Sequence, residues 1–322
     1  MMLSVIIPTY NRLDLVKFTL DSLDQSRHKG VVFEIIVIDD GSVDGTKEFI
    51  IRNYPTVKLL ANSGKGAASA RNTGLAVAQG KYIMYLDSDD LAGEDYFEKK
   101  IELLDQQQDL NACYGGYEYF ESNGAFKPAD IIFKHKYPMI TIDKSNKEHL
   151  INYLSGNFLP QNAIIWKKDF LIKCKGHDAS LAVNQDVDLF VRAVFKGLKI
   201  TAVQDGTKVY VRNHSLDIRV GDPKNSKNKL LQILELRKNI FKELKAYGYG
   251  NDESYRALSN YLFGYWKLLR HTEPEMAMKY LNFAKEVFWP VKIKGNVLYK
   301  MLSVLFGPVN AVNMKYFLLK RD

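Results

Sequence analysis

Short runs of consecutive apolar residues alternate with segments of helical periodicity over the first hundred residues. The apolar runs read LSVIIP (3–8), FEIIVIDD (33–40), TVKLLA (56–61) and KYIMYLD (81–87). Between the first two runs, apolar residues recur at the spacing of one helix face, at Leu13, Val16, Leu20 and Leu23. Continuous apolar strands separated by helices predict an α/β fold, with a mostly parallel central sheet covered by helices on both faces.

The same patterns predict the later elements and a change of architecture near residue 220. We expect helices at 44–52, 66–80, 94–104 and 186–200, strands at 112–120 and 207–214, and a strand followed by a helix at 162–171. From about Asn225 onward only helical spacing recurs. We therefore predict an α/β domain over residues 1–220, with halves at about 1–110 and 111–220, and a helical region over 221–322.

Composition is that of an ordinary soluble protein, but the charge is unevenly distributed. Of the 322 residues, 46% are hydrophobic and 25% are charged, and the net charge is +8. Residues 221–322 hold 18 Lys or Arg against 9 Asp or Glu, whereas residues 1–220 hold 27 against 28. A partner for the basic charge is expected at the carboxy-terminal third. Nucleic acid is not predicted, because no recognised binding motif accompanies the charge.

Cysteine content and apolar run lengths favour a cytoplasmic protein. The two cysteines, Cys113 and Cys174, supply neither a disulfide framework nor a cysteine zinc cluster. The first residues, MMLSVIIPTYNR, lack the basic and long apolar regions of a signal peptide. No stretch reaches the roughly 18 apolar residues of a membrane span.

Polar clusters follow three of the apolar runs. The clusters TYN, DDGS and DSDD fall at the carboxyl ends of predicted parallel strands, which is the edge where such sheets bind ligands. A Rossmann fingerprint is excluded because PTYNRL contains no glycine, and a P-loop because NSGKGAAS has glycine after its lysine. What remains is a nucleotide site built from carboxylates and a divalent cation.

Two acidic motifs each allow two interpretations. In DSDD, Asp87 and Asp89 share one side of an extended segment and could hold Mg²⁺ or Mn²⁺, whereas Asp90 fits the cap of a following helix. In IDDGSVDGT, the carboxylates of Asp39 and Asp40 could accept the N3–H of a uracil, or could begin a turn and a helix.

Three further segments carry candidate chemistry. Lys65 and Arg71 could neutralise phosphate charge, although a lysine in a glycine-flanked loop is often only solvated. Asp186 could act as a general base, although acids in a first helical turn also stabilise the helix dipole. His214, close to Arg212 after the last strand, could contact phosphate or metal or be purely structural.

Together these segments resemble glycosyltransferase family 2, the inverting enzymes of the GT-A fold. The matching segments occur in the family's order over roughly residues 3–215 and read SVIIPTYNR, VIDDGSVDGT, GAASARNTGL, GKYIMYLDSDD, NFLPQNAIIWKKDFL, GHDASLAVNQDVDLFVRAVFKGLKI and YVRNHS. The resemblance implies a nucleotide-sugar half at 1–110 and an acceptor half at 111–220. A single motif would be weak support, but the ordered series is specific.

The resemblance also implies roles for the matched residues. Asp186 matches the base that deprotonates the acceptor hydroxyl. The metal, Mn²⁺ or Mg²⁺, would be held by Asp87, Asp89 and His214. The implied nucleotide-sugar-binding residues are Pro8, Thr9, Tyr10, Asn11, Asp39, Asp40, Lys65, Arg71, Asp87, Ser88, Asp89 and Arg212. Two residues depart from the family pattern: Gln185 stands where a Glu usually precedes the base, and His177 replaces an aromatic packing residue.

The implied function is metal-dependent, inverting transfer of a sugar from a nucleotide sugar, with UDP favoured, to a hydroxyl of a glycan or lipid-linked acceptor. Bacterial surface polysaccharide synthesis is the expected setting. The alternative is a catalytically silent sugar-nucleotide-binding or scaffold subunit. Residues 287–321 contain six Lys or Arg and no acidic residue among many apolar side chains. This stretch could lie on the anionic inner face of the cell membrane, pack on its own catalytic domain or form a homodimer contact.

Overall fold

The computed structural model describes residues 2–120, 145–212, 226–291 and 297–319. Contacts divide the chain into two compact units. The first comprises Met1–Asn146 and Phe158–Gly221, and the second comprises Lys147–Asn157 and Asp222–Asp322. Both sheets lie in the first unit, and the described part of the second is helical.

Within the described residues, ten strands form the two sheets of the first unit. They are β1 (Leu3–Thr9), β2 (Phe33–Asp39), β3 (Lys58–Ala61), β4 (Tyr82–Tyr85), β5 (Leu91–Ala92), β6 (Ala112–Tyr114), β7 (Gly116–Phe120), β8 (Ile164–Lys167), β9 (Ile200–Ala202) and β10 (Lys208–Arg212). The larger sheet has the order β3-β2-β1-β4-β8-β6-β9, and the smaller has the order β5-β10-β7. In the larger sheet only β8 runs antiparallel to its neighbours. The predicted mostly parallel sheet is confirmed.

Helices connect these strands and build the second unit. They are α1 (Leu13–Ser22), α2 (Thr46–Asn53), α3 (Gly66–Val77), α4 (Glu98–Gln106), α5 (Asn146–Leu154), α6 (Lys168–Lys173), α7 (Gln185–Phe195), α8 (Lys227–Ala246), α9 (Asp252–Leu269), α10 (Pro274–Val287) and α11 (Val297–Leu319). Short 3₁₀ helices occur at Gln25–Arg27 and Gln161–Ala163. Within the described residues, no helix is long and apolar enough to cross a membrane.

Strand β1, which lies between β2 and β4, brings the polar clusters to one edge of the sheet. Its aliphatic side chains are completely buried, as expected for a strand covered on both faces, and Pro8 near its end is half-buried. It pairs in parallel with β2 and β4, with Thr9 opposite Asp39 and Ile6 opposite Tyr85. The residues that follow all three strands therefore lie together at the carboxyl edge, as the sequence predicts.

One glycine divides what the sequence predicts as a single strand. The segment 112–120 forms β6 in the larger sheet and β7 in the smaller one, with Gly115 between them. A Cβ on Gly115 would lie 2.8 Å from the Tyr96 Oη and would also collide with Lys100. Apolar pattern alone does not reveal such a crowded corner, because the crowding arises from residues on α4 and just before it.

Three predicted helix features are wrong. Asp90 caps no helix, because Leu91 and Ala92 continue as β5, which pairs with β10. The helix expected at 94–104 begins at Glu98 instead. The segment expected as helix 186–200 ends at Phe195, and the chain continues into β9. At Asp90 and at β9, strand pairing with distant residues replaces a local helical tendency.

The second unit packs its helices around a buried cation. Arg237 of α8 is fully buried, donates to the Tyr153 carbonyl oxygen at 3.1 Å, and lies 4.1 Å from the ring centre of Tyr261. Tyr280 of α10 donates its hydroxyl to the Leu230 carbonyl oxygen at 2.8 Å. These bonds join α5, α8, α9 and α10, which explains why residues 147–157 belong to this unit.

Candidate active site

The loop after β1 is fixed by the loop after β2. Asp40 donates its backbone N–H to the Thr9 carbonyl oxygen at 2.9 Å. Asn11 has a positive φ of 49°, and its side-chain oxygen accepts from the Val43 N–H at 2.9 Å. Tyr10 is 55% exposed, whereas Thr9 is buried with no hydrogen-bond partner for its hydroxyl in the described part of the chain. Pro8 and Thr9 are the last two residues of β1.

The two carboxylates after β2 make different local bonds. Asp39 is buried and accepts from the N–H groups of Gly41 and Ser42, each at 3.1 Å from its Oδ2. Asp40 is half-buried and accepts from Asn62 Nδ2 at 2.6 Å and from the Gly66 N–H at 2.8 Å. Asp39 therefore closes the turn, and Asp40 joins it to the start of α3. Base recognition by this pair stays a prediction.

Lys65 and Arg71 stand in contrasting environments. Lys65 is the exposed residue that precedes α3, and it forms no ion pair within the described residues. Arg71 is buried within α3 and donates from Nη2 to Asp87 Oδ1 at 2.7 Å. Only Arg71 is thus held in place by the protein itself.

The three carboxylates after β4 become progressively more buried. The side chains of Asp87 and Asp89 are 40% and 12% exposed, and Asp90 is 3% exposed, with Ser88 buried between the first two. Arg12 Nη2 lies 3.7 Å from Asp89 Oδ2. Burial raises the pKa of Asp90 well above its ordinary range, and the negative charges of Asp89 and Asp87 raise it further. The carboxylates are therefore close enough to repel one another.

Arg212 joins the small sheet to this acidic segment. Its backbone N–H donates to Asp90 Oδ1 at 2.6 Å, and its Nε donates to the Asp89 carbonyl oxygen at 3.1 Å. Its guanidinium lies 4.7 Å from the ring centre of Phe120. Asn162 also donates from Nδ2 to Asp90 Oδ2. His214 lies outside the described residues, and its role at the metal stays a prediction.

The two acids in the first turn of α7 have separate environments. Asp188 is bound to Arg192 through Nε at 2.9 Å, and Arg192 also donates to the carbonyl oxygens of Cys174 and Gly176. Removal from water raises the pKa of Asp186, and the negative charge of Asp87 raises it as well, against the lowering effect of the Val187 N–H and the Arg71 charge. Asp188 is thus structural, whereas Asp186 carries the perturbed pKa that is typical of functional carboxylates.

Arg71 also binds two amide side chains. It donates from Nη1 to Gln185 Oε1 at 3.0 Å, and its Nη2 and Nε each lie 2.9 Å from the amide of Gln161. The far side of that amide lies 3.0 Å from Nε2 of His177. The sequence interpretation does not single out Gln161, Asn162 or Arg12. All three lie inside the matching segments, in QNAIIW and TYNR, but nothing in their spacing indicates these partners.

Comparison with known proteins identifies the family. A model described as Glycosyl transferase family 2 matches residues 4–168. The putative teichuronic acid biosynthesis glycosyltransferase TuaG of Bacillus subtilis is 34% identical over 160 residues, which is 48% of this chain and 60% of that protein. The Escherichia coli protein WfgD is 33% identical over 124 residues, which is 38% of this chain and 48% of WfgD. WfgD is described as a UDP-Glc:alpha-D-GlcNAc-diphosphoundecaprenol beta-1,3-glucosyltransferase. The match covers less than two-thirds of either relative.

Solved structures extend the likeness to most of the fold. Residues 1–349 of S. aureus TarS in complex with UDP-GlcNAc superpose with a TM-score of 0.64 at 18% identity, covering 89% of this chain and 81% of that one. The Pyrobaculum calidifontis mannosyltransferase PcManGT, in complex with GDP-Man and Mn²⁺, gives a TM-score of 0.51 at 16% identity, with 97% and 86% covered. At these identities the likeness concerns the fold, which is GT-A. Because the family model spans just over half of the sequence, the chain belongs to glycosyl transferase family 2.

Proposed function

We propose that this chain is a metal-dependent, inverting glycosyltransferase that moves a sugar from a nucleotide sugar to a hydroxyl of a glycan or lipid-linked acceptor. The observation that carries the proposal is the convergence at Arg71. Its guanidinium binds Asp87 of the D-x-D segment and Gln185, the residue next to Asp186. One buried cation therefore joins the predicted diphosphate side of the site to the predicted base.

Residues Asp87 and Asp89 fit a divalent cation. Their oxygens are the hard ligands that Mn²⁺ and Mg²⁺ prefer, and a cation would relieve the repulsion that, after burial, helps to raise the Asp90 pKa. No group of three or more candidate ligands occurs among the described residues. We propose that Asp87 and Asp89, with His214, hold the ion together with the donor. When bound, the ion would supply positive charge against the diphosphate.

The protein's own groups suit a single displacement. Asp186, at the start of α7, is the proposed general base that takes the proton of the acceptor hydroxyl as its oxygen attacks the anomeric carbon. Attack opposite the leaving diphosphate inverts the anomeric configuration. Arg71 and Lys65 would supply positive charge on the donor side, and Arg212 would hold the acidic segment in place through its bonds to Asp89 and Asp90.

The relatives favour a particular class of substrates. UDP-glucose and a diphosphoundecaprenol-linked sugar appear in the description of WfgD, and teichuronic acid in that of TuaG. TarS was solved with UDP and with UDP-GlcNAc. By analogy we propose a UDP-sugar donor, a lipid-linked or glycan acceptor, and a role in bacterial surface polysaccharide synthesis.

The decisive experiment is a panel of nucleotide sugars with Mn²⁺, scored for donor hydrolysis and for transfer. Asp186→Asn should abolish transfer while UDP binding is retained, and Asp169→Asn, an exposed acid in the first turn of α6, is the matched control. Full transfer by Asp186→Asn would remove the base assignment. Binding of UDP-sugars without any turnover by the wild-type protein would instead support the catalytically silent binding subunit.

The last helix supports a peripheral membrane role at the inner face of the cell membrane. On α11, Val304 and Leu305 are 85% and 69% exposed, and Met301 on the same face is also exposed. The surrounding sequence, residues 287–321, contains six basic residues and no acidic one. Exposed apolar residues within a basic segment suit an anionic lipid surface, where a lipid-linked acceptor would also lie.

Vesicle sedimentation with the full-length protein tests this role. Val304→Asp/Leu305→Asp should release the protein from vesicles of phosphatidylglycerol and phosphatidylcholine, while Val43→Asp, which replaces an exposed valine of the first unit, should not. Sedimentation that is unchanged in the double variant would exclude the membrane role of this face. A dimer that dissociates in the double variant would assign the face to a homodimer contact instead.

A further inference from the structure

Arg71 is held by three acceptors, and only one of them is charged. Asp87 supplies the carboxylate, while Gln185 and Gln161 supply neutral amide oxygens. A guanidinium has five N–H donors and no acceptor, so an amide side chain that hydrogen-bonds to it must present its oxygen. The direction in which each amide points is therefore dictated by Arg71.

This requirement fixes the orientation of Gln161. With its oxygen toward Arg71 Nη2 and Nε, its NH₂ group faces His177 Nε2 at 3.0 Å. The amide can donate to that nitrogen only if the nitrogen carries no proton. In the neutral ring the proton must then lie on Nδ1, which is buried and has no partner within the described residues. His177 is thus the acceptor end of a directed chain of hydrogen bonds.

The surroundings of His177 keep this ring neutral. Burial lowers its pKa well below the ordinary value, and the positive charges of Arg71 and Arg192 lower it further. The ring of Tyr85 packs edge-on against His177 with the ring centres 4.8 Å apart, and burial raises the pKa of this tyrosine. A protonated His177 would donate from Nε2, turn the Gln161 amide over and place its NH₂ against the guanidinium.

The backbone of His177 is hydrogen-bonded to α3, the helix that carries Arg71. Asn72, which follows Arg71 on α3, accepts from the His177 N–H at 2.8 Å and donates to its carbonyl oxygen at 2.7 Å. Two hydrogen bonds from its backbone therefore fix the position of His177 relative to α3, independently of its side chain. Gln161 adds a third connection, because its amide bonds both to the His177 ring and to Arg71 on α3.

We propose that Gln161 is a positioning residue: with its oxygen toward Arg71 and its NH₂ group bonded to His177, it holds the Arg71 guanidinium between Asp87 and the start of α7, which carries Asp186. The inference rests on the proposed function for the roles of Arg71 and Asp186. The hydrogen bonds that link His177, Gln161 and Arg71 do not depend on that function. Within the described residues Gln161 forms no hydrogen bond with either carboxylate, so it would act through Arg71. His177, which replaces the family's aromatic side chain, would thereby supply the acceptor for the Gln161 NH₂ group.

Two variants separate positioning from general packing. Gln161→Leu keeps the volume but removes the hydrogen bonds to Arg71 and to His177. We expect kcat for donor turnover to fall about tenfold with KM changed much less, because Arg71 loses its fixed orientation. His177→Phe restores the aromatic type of the family and removes only the acceptor, so a smaller loss is expected. The double variant should be no worse than Gln161→Leu alone, since both changes break one chain. Gln79→Leu, on an exposed glutamine, is the control.

A substrate-free measurement completes the test. Nitrogen-15 spectra of the imidazole rings, with His177 assigned through His177→Phe, should show protonation at Nδ1 and none at Nε2 between about pH 6 and 8. Gln161→Glu removes the donor to Nε2 and should move the proton to that nitrogen. Protonation at Nε2 in the wild-type ring, or additive losses in the double variant, would overturn the inference. Absence of nucleotide-sugar binding and turnover in the wild-type protein would overturn the proposed function and leave the ring result standing.

Discussion

Arg71 Nη2 lies 2.7 Å from Asp87 Oδ1, and this pair is the one ionic contact between α3 and the D-x-D segment within the described part of the structure. The arginine is buried, whereas the Asp87 side chain is 40% exposed. The pair therefore presents its carboxylate outward while its cation stays inside. Such an arrangement allows the carboxylate to bind a second cation without losing the first.

Replacement of Arg71 should reduce donor turnover according to how many of its hydrogen bonds each variant can still form. Arg71→Met removes the charge and the hydrogen bonds to all three partners, and we expect kcat/KM to fall about a hundredfold. Arg71→Lys keeps the charge but cannot reproduce the planar fork that reaches three separate acceptors, so an intermediate loss is expected. Steady-state kinetics measure both variants, with Lys173→Met, at an exposed lysine of α6, as the control. Wild-type activity in Arg71→Lys would show that only the charge matters.

The pH dependence of transfer should reflect the raised pKa of Asp186. A general base works only when deprotonated, so activity should fall as pH decreases through that pKa. Because the pKa is raised by burial, the fall should begin at higher pH than for an ordinary aspartate. A profile of kcat against pH measures this limb, with circular dichroism to exclude acid unfolding. A flat profile down to about pH 4 would contradict the assignment.

Gln185→Glu should move this acidic limb to higher pH. The substitution places a carboxylate next to Asp186 in sequence and against the same arginine, 3.0 Å from Arg71 Nη1. The added negative charge would neutralise part of the Arg71 field and make ionisation of Asp186 harder. The shift is measured from the same pH profile. Gln79→Glu, which adds the same charge at an exposed position, should leave the profile in place.

Metal-dependent nucleotide binding should require Asp89. Asp89→Ala removes one of the two predicted oxygen ligands, and we expect UDP affinity in the presence of Mn²⁺ to fall at least about tenfold. Affinity measured after removal of the metal with EDTA should be equally low in the wild-type and variant proteins. Calorimetry at matched ionic strength measures both. Equal losses with and without metal would indicate a structural role for Asp89, such as its contact with Arg12.

A separate prediction concerns stability away from the site. Lys100 is fully buried, lies 2.9 Å from Asp205 Oδ2, and sits 3.9 Å from the ring centre of Tyr96. Lys100→Met would leave the Asp205 carboxylate without its cation, at a cost of about 3 kcal/mol in the free energy of unfolding. Urea denaturation measures the loss, and Lys99→Met on the exposed side of α4 is the control. A Lys100→Met/Asp205→Asn double variant should recover part of it.

Local pattern predicts the first half of the fold well because each of its strands lies within a run of mostly apolar residues, including the half-exposed edge strand β3. Each apolar run from LSVIIP to KYIMYLD contains a strand of the larger sheet, and the polar residues after Thr9, Asp39 and Tyr85 do share an edge. Pattern fails where pairing is decided at a distance. The two-residue strand β5 exists only because β10 binds it, and this pairing is also why Asp90 accepts from Arg212 rather than capping a helix.

The candidate site shows the same division. The ordered motifs predict that Asp87, Arg71 and the start of α7 belong together, and the structure brings them into contact through Arg71. They do not predict the supporting contacts of Gln161 and His177, because an amide and an imidazole have no characteristic spacing when they are 16 residues apart. The distinction between Asp186 and Asp188 likewise depends on Arg192, which is bound to only one of them.

Gly115 has a consequence for how this chain tolerates change. The larger sheet carries the strand before Asp87, the smaller sheet carries Arg212, and the chain passes from one to the other at this residue. Because even one added methyl group would collide with Tyr96 and Lys100, variation at position 115 would displace β7 and, through its pairing, β10. A mutational scan should therefore find this glycine as intolerant as the acidic segment itself, although it bears no functional group and contacts no proposed ligand.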